Sequence, residues 1–264
     1  MAVQIDAVAE VQKTFQLLFQ RKNWLLALPI LVGFAVAGIC VGIVGAIAFG
    51  SLIAGGGLAG AMAGGGDARG PGAMIAMLFS GLGLLFIVAL LVGIVIGVFG
   101  YAWAYAAAEP IWQGGDPDIS GGFSKAMGKL PQLIVLGLIV GVVTLLLFWT
   151  FIVPLAVGFF CIYTIPYVMQ GNESGTGSIG ASINLAKNNF GPTGMLFLAL
   201  IVVGIVAGII SSILAIIPLL GLIVQLAVTS LVGAFNIAVI MRWYNLLTGA
   251  PSAAAPPAPT APTA

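Results

Sequence analysis

Short polar stretches separate long apolar runs along this chain, and the two kinds of segment carry different patterns. In residues 1–23, Val8, Val11, Phe15, Leu18 and Phe19 recur at helical spacing, while Asp6, Glu10, Lys13, Gln20 and Arg21 fall mostly on the other side. That pattern predicts an amphipathic helix lying in the plane of a membrane interface. A cleaved leader fits poorly, because the apolar run that follows exceeds the roughly 7–15 residues of a leader core. Residues 109–129 repeat the pattern with Ile119, Phe123, Met127 and Leu130, and Ser120 stands where an N-cap would. Residues 171–194 repeat it a third time, more weakly, with Ile179, Ile183, Ala186 and Phe190.

The apolar runs between these stretches have the length of bilayer crossings, about 20 residues each. Six spans are predicted, at 24–50, 82–105, 131–150, 153–170, 195–217 and 219–244. Residues 130–170 divide near Trp149–Pro154, with Pro154 in the first turn of the next helix, and the Met195–Tyr244 run divides at Pro218. Trp24 and the cluster Tyr101, Trp103, Tyr105 and Trp112 suit the headgroup level. The predicted fold is all-α: a polytopic transmembrane bundle of three hairpins, each preceded by a basic amphipathic interfacial helix. Its parts are the interfacial helix 1–23, a six-span membrane domain 24–248, and a Pro/Ala-rich tail 249–264 that cannot bury a core and is expected to be disordered. The glycine-rich stretch 54–72 reads as a flexible loop, since no strand precedes it and no G-K-[ST] follows.

Composition sharpens the picture. The chain is 61% apolar and 6% charged, against roughly 45–50% and about 25% in a soluble domain, so its surface suits lipid better than water. A net charge of +1 points to no nucleic-acid partner. There is no histidine, which removes imidazole acid–base chemistry and imidazole metal ligands. Cys40 and Cys161 lie inside apolar runs and are not spaced as zinc ligands. Asp116 and Asp118 flank Pro117 in ordinary turn chemistry. No catalytic residue, cofactor or metal is expected.

The basic residues set the orientation. Lys13, Arg21, Lys22, Lys125, Lys129, Lys187 and Arg242 fall on one side of a six-span layout and only Arg69 on the other, a positive-inside bias that predicts both termini in the cytoplasm. Of these, Arg21, Lys22, Lys125, Lys129, Lys187 and Arg242 are candidates to touch anionic lipid headgroups. The hairpin unit also repeats in sequence: WLLALPILVG at 24–33, QLIVLGLIVG at 132–141 and MLFLALIVVG at 195–204, with Phe15 and Phe123, and Arg21 and Lys129, at one offset of 108. Inside the spans, Gly38 and Gly42, Gly93 and Gly97, Gly137 and Gly141, and Gly204 and Gly208 form G-x-x-x-G pairs. These read as close packing within the chain, with a homo-oligomer face as the alternative. Thr144, Ser211, Ser212, Gln225, Thr229, Ser230 and Asn236 are the polar residues of the spans. Gln225, Thr229 and Asn236 share one helix face, which is expected to point into the bundle as helix-to-helix glue or as the lining of a path.

The segment S-I-G-A-S-I-N-L-A-K-N-N-F-G at 178–191, with Q-R-K-N-W-L-L-A-L-P, G-G-F-S-K-A-M-G-K-L-P and R-W-Y-N-L-L-T-G elsewhere, resembles a prokaryotic group of six-span proteins. That group includes the integral membrane domain fused to some bacterial glycerophosphoryl diester phosphodiesterases, and the likeness covers about residues 8–249. It implies a membrane domain whose own activity is unassigned, and it carries over no catalytic residue. No soluble diesterase domain is expected, because six spans and a tail account for the 264 residues. The expected function is that of a non-enzymatic scaffold, anchor or lipid-interacting helper in the cell membrane. A small-solute or lipid permease using the polar face of the sixth span is the alternative.

Overall fold

A computed structural model describes residues 6–20, 22–54, 81–147, 150, 152–171, 175–214 and 220–249. Arg21, Arg69, Pro218, the 55–72 part of the glycine-rich loop and the tail from 250 onward lie outside the described residues. The chain is an all-α, multi-pass membrane bundle, with no strand among the described residues. Its helices are α1 (Ala7–Phe19), α2 (Ala27–Ala54), α3 (Gly81–Ala107), α4 (Ile119–Gly128), α5 (Leu130–Leu147), α6 (Ile152–Phe160), α7 (Thr164–Gln170), α8 (Gly175–Asn188), α9 (Phe190–Leu214) and α10 (Leu220–Thr248). Among the described residues, five segments are long and apolar enough to cross a membrane: α2, α3, the α6–α7 pair, α9 and α10. A sixth is reached by counting α4 and α5 together, although that pair bends by 77° at its break.

Three short helices each stand immediately before a long one: α1 before α2, α4 before α5 and α8 before α9. Each junction is a turn rather than a continuous helix, so the short helix can lie across the end of the span that it precedes. At two junctions an asparagine holds the turn. Asn23 Nδ2 donates to the Leu17 carbonyl at 2.8 Å, and Asn189 Nδ2 donates to the Leu185 carbonyl at 3.1 Å. Indoles hold the same level. Trp103 Nε1 donates to the Ile119 carbonyl at the start of α4, and Trp243 Nε1 donates to the Pro192 carbonyl at the start of α9.

Four details depart from the sequence reading. Asp118, not Ser120, caps α4, accepting from the Gly121 amide at 2.8 Å; Ser120 is already inside the helix, where its side chain cannot reach the free amides of the first turn. α9 begins at Phe190 rather than near Met195, because Pro192 falls in its first turn, where a missing N–H breaks no helical bond. The fourth span is broken between α6 and α7, since Pro166 has no N–H to give to the preceding turn. The break frees backbone groups inside an apolar region, and Ser182 of α8 satisfies two of them: its Oγ accepts from the Tyr163 amide at 3.1 Å and donates to the Phe160 carbonyl at 2.8 Å.

The fourth departure concerns the glycine pairs. A Cβ at Gly93 would meet Val41, one at Gly137 would meet Val95 and one at Gly141 would meet Leu91, so these three do bring helices together. Gly38, Gly42, Gly97, Gly204 and Gly208 have open space where a Cβ would stand, so their spacing does not report packing within the chain. At Gly33 and Gly100 the backbones of α2 and α3 themselves come together, and a Cβ on either would lie 3.1–3.2 Å from the other's Cα.

Packing is uneven along the bundle. α3 is the central helix, lying against α2, α4, α5 and α7, while α10 closes against α2 and α9. The buried side chains gather at the end that carries α1, α4, α8 and the C-terminus of α10: Leu18, Leu26, Ile30, residues 104–108, Leu133, Val168, Ala186, Leu196 and most of 233–245. Toward the other end α2, α5 and α9 show long rows of exposed aliphatic residues, such as Val32, Val36, Ile39, Ile43 and Ile47 on α2. Such rows are what lipid tails would cover.

Candidate functional site

Three features could act: the ring of cations at the packed end, an apolar groove beside α1, and a polar cleft between α9 and α10 farther from that end.

The cations are not equivalent. Lys13, in mid-α1, Lys22 and Lys187 are exposed and Lys129 is half-exposed, and the last three lie close to the turns that lead into spans. Lys125 Nζ instead meets Glu109 Oε2 at 2.5 Å. Both groups remain open to water, so solvent screens the pair and it adds little to stability. Arg242 is held inside the fold. Its Nε lies 2.8 Å from Glu10 Oε2, with side-chain exposures of only 12% for Arg242 and 20% for Glu10, and its guanidinium stacks 5.2 Å from the Trp112 ring centre. Of the six headgroup candidates, Lys22 and Lys187 are thus exposed and Lys129 half-exposed, Lys125 and Arg242 are paired within the chain, and Arg21 lies outside the described residues.

α1 has three faces. Thr14, Leu18 and Val11 turn toward the bundle; Lys13, Gln16 and Gln20 are exposed; Val8, Phe15 and Phe19 form an apolar side between them. That third side walls a groove. One hollow of about 320 Å³ is lined by apolar residues alone, among them Phe15, Phe19, Val203, Val206, Val228 and Phe235. A second, of about 730 Å³, lies between Val8, Gln12, Phe15, Met195, Val203 and Phe235. The two share Phe15, Val203 and Phe235 and so adjoin along one apolar groove.

The polar cleft lies on the other flank of the α9–α10 seam. Gln225 and Thr229 of α10 face Gly204, Gly208, Ser211 and Ser212 of α9 across about 430 Å³, and only Ala207 and Val232 also line the apolar groove. With about 100° per residue, the stripe of Gln225, Thr229 and Asn236 falls between Val232, on the α9 seam, and Gly233, where a Cβ would strike Ile30 of α2. The stripe therefore looks into the angle between α9 and α2. Gln225 and Thr229 are exposed there, whereas Asn236, nearer the packed end, is half-buried with an enclosed and unpartnered Oδ1 and does not line the cleft. Ser212 Oγ donates to the Gly208 carbonyl of its own helix, and Ser230 does the same to Leu226.

Among the described residues no group of three or more His, Cys, Asp or Glu side chains stands close enough to hold a metal ion. Cys40 and Cys161 are both free. Sequence reading missed the Glu10–Arg242 pair and the apolar groove. Only the third face of α1, with phenylalanines four residues apart, could have hinted at the groove. No family model, curated protein or solved structure matches this chain.

Proposed function

We propose that the chain is a non-enzymatic protein of the cell membrane, with both termini in the cytoplasm, that works as a lipid-interacting scaffold or anchor. The observation that carries this reading is the set of open cations, Lys13, Lys22, Lys129 and Lys187, gathered at the one end of the bundle where the short helices lie. Anionic headgroups attract such residues by about 1 kcal/mol each. The same distribution supports a cytoplasmic position for that end. Membership of the six-span group that includes the membrane domain of some phosphodiesterases is part of the same proposal and adds no activity to it.

The test neutralises Arg21, Lys22, Lys129 and Lys187 together and leaves the internally paired Lys125 and Arg242 in place. The variant is expected to lose most of the wild type's preference for phosphatidylglycerol over phosphatidylcholine, and added salt should weaken the wild type's preference in the same direction. Reporter fusions should show weakened or inverted topology. Unchanged topology together with unchanged lipid preference would refute an electrostatic role.

The polar cleft favours one second reading, a small-solute or lipid permease. Cysteines placed at 225 and 229 decide between them. Rapid reaction with a membrane-impermeant thiol reagent, slowed by a candidate solute, would establish a watered path. Inert cysteines, with no solute flux into proteoliposomes, are the expected result if Gln225 and Thr229 serve only to hold helices together.

A further inference from the structure

Lipid tails fill every gap on the outside of a span, so a groove there is a site only if something keeps one lipid from exchanging freely. α1 provides that restraint. It forms one wall of the apolar groove through Val8, Phe15 and Phe19, with α9 and α10 as the others. It cannot swing away easily, because the Glu10–Arg242 pair clasps it to α10 and the Asn23 amide ties its last turn to the turn that leads into α2. Along α9 the groove runs from Met195 to Ile210, about 22 Å at about 1.5 Å per residue. One leaflet contributes about 15 Å, half of the about 30 Å hydrocarbon core. The groove is therefore long enough for a chain that enters at the headgroup level. Among the described residues Gln12 is the only polar side chain that lines it, and it stands at the α1 end, beside the exposed Lys13.

We infer that this groove holds one acyl chain of a membrane phospholipid, with α1 as a fixed lip that slows its exchange with the surrounding bilayer. The inference rests on the lipid-interacting reading above and extends it from headgroup charge to a chain-binding site. The apolar lining supplies no selectivity for headgroup charge, so a zwitterionic phospholipid should occupy the groove as well as an anionic one.

The experiment places the full chain in phosphatidylcholine vesicles containing a trace of phosphatidylcholine with a diazirine in its acyl chain. The vesicles are chased with excess unlabelled phosphatidylcholine for varied times before irradiation, and the adducts are mapped by peptide. Adducts around Phe15, Val206 and Phe235 are expected to survive the chase several-fold longer than those around Ile209, which is exposed and lines neither hollow. Val206→Trp, which fills the narrower hollow, should abolish the slow adducts, whereas Ile209→Trp should leave them. Should Val206→Trp fail to insert, Phe15→Ala removes the lip without adding bulk and should bring the chase rate up to that of Ile209. Equal chase rates at the groove and at Ile209 in the wild type would overturn the proposal, as would slow adducts that persist in both Val206→Trp and Phe15→Ala. Because the vesicles carry no anionic lipid, slow adducts there support the chain site even if the four-cation variant shows that headgroup charge does not matter.

Discussion

Arg242→Gln is expected to weaken the fold by about 2–3 kcal/mol, somewhat less than the 3–5 kcal/mol typical when one partner of a fully buried pair is removed. The discount follows from the 12% and 20% exposure of the Arg242 and Glu10 side chains, which leaves Glu10 some access to water. Most of the loss comes from stranding the Glu10 carboxylate at the edge of an apolar core. Glu10→Gln together with Arg242→Gln should therefore be more stable than the sum of the single losses predicts. Arg242→Lys keeps the charge but not the stacking on Trp112, worth about 0.5–1 kcal/mol, nor the planar fork that reaches both carboxylate oxygens, at 2.8 and 3.4 Å. It should fall between wild type and Arg242→Gln. Reversible unfolding in bicelles would measure all four. Strict additivity in the double variant would show that the two residues do not act as a pair.

That pair also marks the limit of what the sequence could reveal. The spans were legible because apolar length and the rarity of charge are local properties. The three short helices that precede spans were legible because their periodicity is local as well. Glu10 and Arg242 are 232 residues apart, and each reads from its own neighbourhood as a solvated polar residue. Nothing in either neighbourhood names the other. Lys125 misled in the same way, since its partner Glu109 sits across the turn that precedes α4. The polar stripe on α10 was half legible. Its periodicity placed Gln225, Thr229 and Asn236 on one face, but the widening of the bundle away from the packed end separates an open pair from a half-buried Asn236. The groove was the least legible feature. From Met195 to Ile210 α9 is apolar all round, so no pattern within that stretch distinguishes the side that meets α1 from the side that meets lipid.

Glycine spacing failed for a related reason, and the failure yields the second large effect. A G-x-x-x-G pair names a helix face but not what lies against it, and in so glycine-rich a chain many such faces look outward. Gly97 and Gly100 are three residues apart on α3, yet their surroundings differ. A Cβ at Gly97 meets nothing within 4 Å, whereas one at Gly100 would lie 3.1 Å from the Pro29 carbonyl oxygen and 3.2 Å from the Gly33 Cα. Those obstacles are backbone and cannot rotate aside. Gly100→Leu must push α2 and α3 apart at the crossing that seats Leu26, Ile30 and Tyr105 in the core. The expected loss is about 3 kcal/mol, the upper end for overpacking, because a separated helix pair also gives up contacts on either side. Gly100→Ala should lose less, since the helices need shift by only a few tenths of an ångström. Gly97→Leu should stay within about 0.5 kcal/mol of wild type, as surface changes usually do. Unfolding of the three variants in the same bicelles gives the ranking. Equal losses for Gly97→Leu and Gly100→Leu would mean that the backbones of α2 and α3 do not come together at Gly33 and Gly100.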